Sequence, residues 1–352
     1  MAVIDADTHV VEAPCIWNYI AKADAEHKPA TVSFDDVPDA LKQRMMAGRK
    51  FWMIDGKLYG QGGLPTDMYA EGTRDLTNVP ARVAHMDRIG VDVQVIYPSI
   101  FLNMVVENPD AELALGKAYN RWLADVCKPV RNRMKWLVVP TPRKMEATLS
   151  EIAWGRDNGA TGVLLRGYEG ERTLDDPMFY PIYAKAQELN IPVCVHIGTN
   201  SAHYHAIHHG TGYRPNIAAT IMPAVVAFSA LMASEVPQKF PKLRFGFIET
   251  GSEWLPFAVN RTAKWVSRFG DKGYVGNVLR DNRFYVTCET TEDLAQVLRY
   301  SGEDNLLLGT DYGHADTSTE LAAHDVLKKR PDISAAAAKK ITEANPAAFY
   351  GL

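Results

Sequence analysis

Short apolar runs recur along this chain, and most are followed by a segment whose apolar positions repeat with helical spacing. The runs predict strands at Val3–His9, Val91–Tyr97, Lys135–Val139, Thr161–Leu165, Ile191–Ile197, Leu243–Ile248, Phe284–Cys288 and Asn305–Gly309. Helices are predicted around 80–89, 110–127, 145–158, 176–189, 218–234, 253–269, 291–300, 319–328 and 333–343. In 110–127, for example, Leu113, Leu115, Ala118, Tyr119, Trp122 and Leu123 fall on one side. Strands alternating with helices imply parallel βαβ units. Runs as apolar as Val193-Cys194-Val195 and Leu306-Leu307-Leu308 suit a sheet covered on both faces. Eight such units predict a (β/α)8 TIM-like barrel. An open doubly wound sheet is the alternative, but no glycine-rich phosphate-binding turn follows the first strand.

One stretch breaks the alternation. Residues 12–80 lack sustained periodicity, although Phe51–Ile54, Asp55-Gly56 and Lys57–Tyr59 read as a hairpin, Asp-Gly between apolar runs being a strong turn signal. A long segment of this kind in a compact fold is often functional. We expect a single domain over 1–352, with 12–80 inserted as a lid over one end of the barrel.

Composition narrows the picture. The chain has 352 residues, 47% of them hydrophobic, enough for a large core. With a net charge of −4 and no basic block, nucleic acid is not an expected partner. No apolar run approaches the ~18 residues of a membrane span, and the immediate entry into a strand leaves no room for a signal peptide. The four cysteines show no C-x-x-C spacing, and Cys194 and Cys288 read as buried free thiols, which suits a reducing cytoplasm.

Acidic and imidazole residues collect at the ends of the strands. Asp7 and His9 are two residues apart, so they project from one face of the first strand. Asp5 shares that face but lies deeper. His196 ends the fifth strand, Glu249 the sixth and Asp311 the eighth. Each alone could be a satisfied polar residue. Together at one mouth they would be costly unless a cation held them, and in a barrel the strand C-termini converge where chemistry occurs. This is a candidate divalent-metal site.

The chain resembles the amidohydrolase superfamily, in the branch that contains aminocarboxymuconate-semialdehyde decarboxylase and the aromatic-acid decarboxylases. The resemblance rests on Asp7-Thr8-His9, the segment Arg82–Asp92, His196, Gly309–His314, and the closing Asn345-Pro346-Ala347 with Tyr350-Gly351-Leu352. It implies Asp7, His9, His196 and Asp311 as metal ligands, and Asp311 as an acceptor of a proton. Glu249 stands where the decarboxylases carry a histidine, so it is a candidate ligand and a second acid–base group. The carbamylated lysine of many dinuclear members is not evident. Arg166 stands where it might be sought.

The donor set is rich in oxygen, with Glu253 one helical turn past Glu249, and this favours Mn or Fe over Zn, with one or two ions per chain. His314, three residues past Asp311, is a candidate catalytic or orienting group. Arg166, Arg49, Lys50, Trp52 and His205 are candidate substrate contacts, Arg166 as an anion clamp or else a partner for the carboxylates, and His205 within the histidine-rich run His203–Gly210, which reads either as a binder of metal or carboxylate or as a solvated loop. His27, His85 and His324 carry no expected role. The expected function is metal-dependent hydrolysis or non-oxidative decarboxylation of a small carboxylate- or amide-bearing molecule. The alternatives are an oxygen-activating dinuclear Fe/Mn monooxygenase and, third, a non-catalytic partner subunit. A homo- or hetero-oligomer is a family-level expectation.

Overall fold

The computed structural model describes residues 1–37, 39–42, 50–61, 66–209, 217–266, 274 and 276–352. Eight parallel strands form the central sheet, in the order β1 (Ile4–Val10), β5 (Val93–Pro98), β6 (Met134–Val138), β7 (Ala160–Arg166), β8 (Val193–His196), β9 (Phe245–Ile248), β10 (Phe284–Cys288) and β11 (Leu306–Leu308). Apart from three strands within residues 12–80, spatial order is sequence order, as in a barrel wound one βα unit at a time. The strands are almost wholly buried because helices cover the outer face and side chains fill the interior.

The barrel is drawn shut where β11 meets β1. Asp311 N donates to Asp7 O at 3.1 Å, and His9 N to Tyr312 O at 2.5 Å. The buried carboxylate of Asp5 takes Thr310 N at 2.8 Å and Thr310 Oγ1 at 2.6 Å. Asp5 is therefore a structural clasp. Burial pushes its pKa up to about 7.

Local signals explain the helix starts. Asn78 Oδ1 accepts Ala81 N at the head of Val79–Arg88, and Asn108 Oδ1 accepts Asp110 N at the head of Pro109–Cys127, which has proline in its first turn.

Residues 12–80 include a second sheet. Strands β3 (Lys50–Ile54) and β4 (Lys57–Gly60) form the expected hairpin, with Asp55 and Gly56 both at positive φ (49° and 73°), as a two-residue turn of this kind requires. A third strand, β2 (Ala30–Ser33), pairs antiparallel with β3. It was not expected, because four residues that are mostly exposed carry no alternation to read. Farther on, Tyr69 Oη donates to His314 O at 2.8 Å and Arg74 Nε to Gly313 O at 2.6 Å, joining this segment to the loop after β11. Within the histidine-rich run the structure describes a helix, Ala202–His209, rather than a solvated loop. Its start is fixed by Glu171, which accepts His203 N and Ser201 Oγ. Among the described residues no helix is long and apolar enough to cross a membrane.

Candidate metal centre

The C-terminal ends of β1, β8 and β9, with the loop after β11, bring Asp7, His9, His196, Glu249 and Asp311 together. His9 Nε2 lies 3.2 Å from Asp7 Oδ1, 3.5 Å from Glu249 Oε2 and 3.4 Å from Asp311 Oδ1. His196 Nε2 lies 3.4 Å from Asp7 Oδ1 and 3.3 Å from Glu249 Oε2. Four donor atoms, from Asp7, His9, His196 and Glu249, fall within 4.8 Å of one another. A second group of four shares His9 and Glu249 and adds Asp311 and His314.

These atoms fit a cation. Asp7 Oδ1, His9 Nε2, His196 Nε2 and Glu249 Oε2 are buried and lack a partner of hydrogen-bond geometry, an arrangement that is costly unless something else satisfies them. Each imidazole is held from behind. His9 Nδ1 is 2.9 Å from Pro98 O and His196 Nδ1 is 3.2 Å from Ile197 O. A ring that donates from Nδ1 to a carbonyl presents its Nε2 lone pair to the centre when neutral. Two imidazoles and two carboxylates suit a divalent transition metal.

The backbone is strained where the acids emerge. Glu249 and Asp311 both adopt left-handed conformations, with φ of 58° and 52°. Such residues are uncommon and cluster at functional sites. The sequence gives no sign of this.

As protein groups alone, the cluster perturbs itself. Burial pushes the Glu249 carboxyl up to about 8, and neighbouring Asp311 adds to the effect. Burial alone would raise Asp7, but the approach of His196 and His9 holds it well below the usual carboxylate range. Burial would lower His9, yet Asp7 and Glu249 raise it well above an ordinary imidazole.

His314 stacks on His9, with ring centroids 3.9 Å apart. Its Nδ1 is 2.7 Å from Asp311 Oδ1 and its Nε2 is 2.8 Å from Ser99 Oγ. Ser99 is itself fixed by Glu12, whose buried carboxylate accepts the N–H groups of Ser99 and Ile100 at 2.8 and 3.0 Å. Burial pushes Glu12 up to about 7. Neither Ser99 nor Glu12 was anticipated.

The other candidates are placed differently. Arg166 is buried and committed, with Nε 2.8 Å from Glu169 Oε1, Nη2 2.6 Å from Glu169 Oε2, and Nη1 donating to Phe101 O at 2.7 Å. This is the carboxylate-partner alternative rather than an open anion clamp. Trp52 is buried edge-on against Trp17, which leaves no face for a substrate. Glu253 turns away to accept Asp293 N and is exposed, so it does not enrich the donor set. His205 lies half-buried on Ala202–His209, and burial lowers its pKa. Arg49 lies outside the described residues. His85, with no expected role, meets Tyr312 Oη at 2.9 Å.

The comparisons with known proteins agree with this architecture. The chain is 22% identical over 314 residues to the 2-amino-3-carboxymuconate-6-semialdehyde decarboxylase of Dictyostelium discoideum, covering 85% of this chain and 81% of that one. It is similar to the crystal structure of an amidohydrolase from Mycobacterium avium subsp. paratuberculosis K-10, with a TM-score of 0.80 at 17% identity, covering 100% and 98% of the two chains. It is also similar to a 5-carboxyvanillate decarboxylase from Novosphingobium aromaticivorans complexed with manganese and a nitrobenzoic acid, with a TM-score of 0.67 at 18% identity, covering 100% and 96%. These relatives give the oxygen-activating alternative no support. The amidohydrolase family model matches residues 4–352, and the chain is an enzyme that belongs to that family.

Proposed function

We propose that this enzyme uses a divalent metal for the non-oxidative decarboxylation, or else the hydrolysis, of a small carboxylate-bearing molecule. The observation that carries the reading is the convergence of four buried, unpartnered donor atoms at the mouth of the barrel. Decarboxylation is favoured because the curated relative and the manganese-bound neighbour are both named as decarboxylases.

Asp7, His9, His196, Glu249 and Asp311 would hold the ion or ions. When bound, the ion polarises a substrate oxygen and lowers the pKa of water that it contacts. Asp311 Oδ1, 2.7 Å from His314 Nδ1, is placed to hold or pass a proton. Glu249, which burial pushes up to about 8, is the second acid–base candidate. Carboxylate oxygens beside imidazoles support Mn or Fe over Zn. Two overlapping donor groups support one or two ions per chain. The contacts of Tyr69 and Arg74 with the loop after β11 support residues 12–80 as a lid.

The test is run anaerobically and repeated in air. Protein loaded with Mn2+ is incubated with a panel of hydroxylated benzoates labelled at the carboxylate, together with simple amides. Metal-dependent release of labelled CO2 is expected. Release of product only from the amides would replace decarboxylation by hydrolysis, and dependence on oxygen would overturn both.

A further inference from the structure

Glu249 and Asp311 each offer one oxygen to the donor cluster, and something must hold the other. The loop after β11 supplies it. Thr319 Oγ1 donates to Asp311 Oδ2 at 2.8 Å. Ser318 Oγ lies 3.1 Å from Glu249 Oε1 and 3.2 Å from Asp311 Oδ2. The remaining oxygens, Glu249 Oε2 and Asp311 Oδ1, face His9. We propose that Thr319 and Ser318 are positioning residues that pin the outward oxygens of Asp311 and Glu249, so that each carboxylate addresses a metal ion through one fixed oxygen.

The two hydroxyls do not act alike. Thr319 has one carboxylate acceptor and commits its proton to Asp311. Ser318 has three carboxylates around a single proton. The nearest is Asp316 Oδ1 at 2.6 Å, which also accepts Ser318 N at 3.0 Å. Ser318 is therefore shared, and its contact with Glu249 is the only hydroxyl bridge described between the acids that end β9 and β11. One backbone group leans on these hydroxyls, Asp316 N donating to Thr319 Oγ1 at 3.3 Å, but the loop has other ties. Glu320 N donates to Thr310 O at 3.0 Å, and Thr290 Oγ1 donates to Glu320 Oε2. Removing a hydroxyl should leave the loop in place and free the carboxylates to rotate. Partners of ligating groups typically tune metal affinity by about 10–100-fold.

The inference rests on the metal reading, and its test separates the two. Mn2+ binding is titrated calorimetrically in the wild type, Thr319→Val, Thr319→Ser and Ser318→Ala. The melting temperature of each metal-free protein and the electron paramagnetic resonance spectrum of bound Mn2+ are recorded alongside. We expect Thr319→Val to weaken Mn2+ binding by about 10–100-fold, with an altered spectrum and an unchanged metal-free melting temperature. Thr319→Ser should restore wild-type binding, and Ser318→Ala should show a smaller loss. If the wild type binds no Mn2+, both readings fall. If the wild type binds and Thr319→Val binds equally well with the same spectrum, only the positioning role is overturned. It is overturned too if Thr319→Ser loses as much as Thr319→Val, or if the loss tracks a lowered metal-free melting temperature.

Discussion

Gly309 packs its backbone against Asp7 so closely that a Cβ placed on it would lie 2.3 Å from the Asp7 Cβ. The residue that follows the last barrel strand thus sets the position of the first donor from behind. A methyl group there cannot be relieved by a flexible tip, because the obstructing atoms are the Asp7 Cβ and backbone. Gly309→Ala is expected to displace Asp7 and weaken metal binding, with a destabilisation of about 1–3 kcal/mol from overpacking. Metal content after dialysis, set beside a urea melt of the metal-free protein, checks both parts.

Replacing a donor itself should be more severe. Asp7→Ala and His196→Ala each remove an unpartnered atom that points into the centre. Elemental analysis should find less than stoichiometric metal in either variant, and activity should fall below the assay limit. Stoichiometric metal in both would show that the ion sits elsewhere.

His314 touches Asp311 and stacks on His9 but belongs only to the second donor group. His314→Gln is expected to keep a metal ion while kcat falls by about 10²–10⁴-fold, the usual scale for a lost acid–base group. Loss of the metal in that variant would make His314 a ligand.

His324 gives a pH prediction independent of the site. It is buried on the helix Ala323–Lys329, and burial lowers its pKa from 6.5 to about 4. The unfolded chain therefore takes up a proton on this ring at higher pH than the folded chain does. Its contribution to stability is full above pH 6.5, declines as the pH falls from 6.5 towards 4, and amounts to about 3 kcal/mol. Chemical denaturation of the wild type and His324→Gln at pH 7.5 and pH 4.5 isolates this group, because other titrations cancel in the difference. The acid loss should be smaller in the variant. Equal losses would mean that His324 is protonated in the folded chain.

Arg166 and Glu169 form a buried pair, each nearly inaccessible. Removing one partner leaves a buried charge unpaired, so Arg166→Met or Glu169→Leu alone should cost about 3–5 kcal/mol. The double substitution should cost less than the sum, which a double-mutant cycle in urea would show.

Much of this protein is legible along the chain. Continuous apolar runs such as Val193–Val195 and Leu306–Leu308 suit strands covered on both faces, and a two-residue spacing places Asp7 and His9 side by side. Asp55-Gly56 fixes a hairpin because those residue types tolerate positive φ. Strand-end position also singled out His196, Glu249 and Asp311 without any contact being known. These features are local, and periodicity and turn chemistry are local properties.

What the sequence leaves undecided depends on contacts between distant segments. Glu12, Ser99, Ser318 and Thr319 are common residue types in loops, and nothing in their spacing shows that they lean on His314, Glu249 or Asp311. Arg166 reads equally well as a clamp or a partner until Glu169 and Phe101 are folded around it. Trp52 reads as a substrate contact until Trp17 covers it. The left-handed turns at Glu249 and Asp311 exist because the surrounding loops hold them there. The sequence alone determined a barrel with acids and imidazoles at its strand ends. The tertiary structure decided which atoms of those residues face one another, because orientation is set by hydrogen bonds that cross from one βα unit to the next.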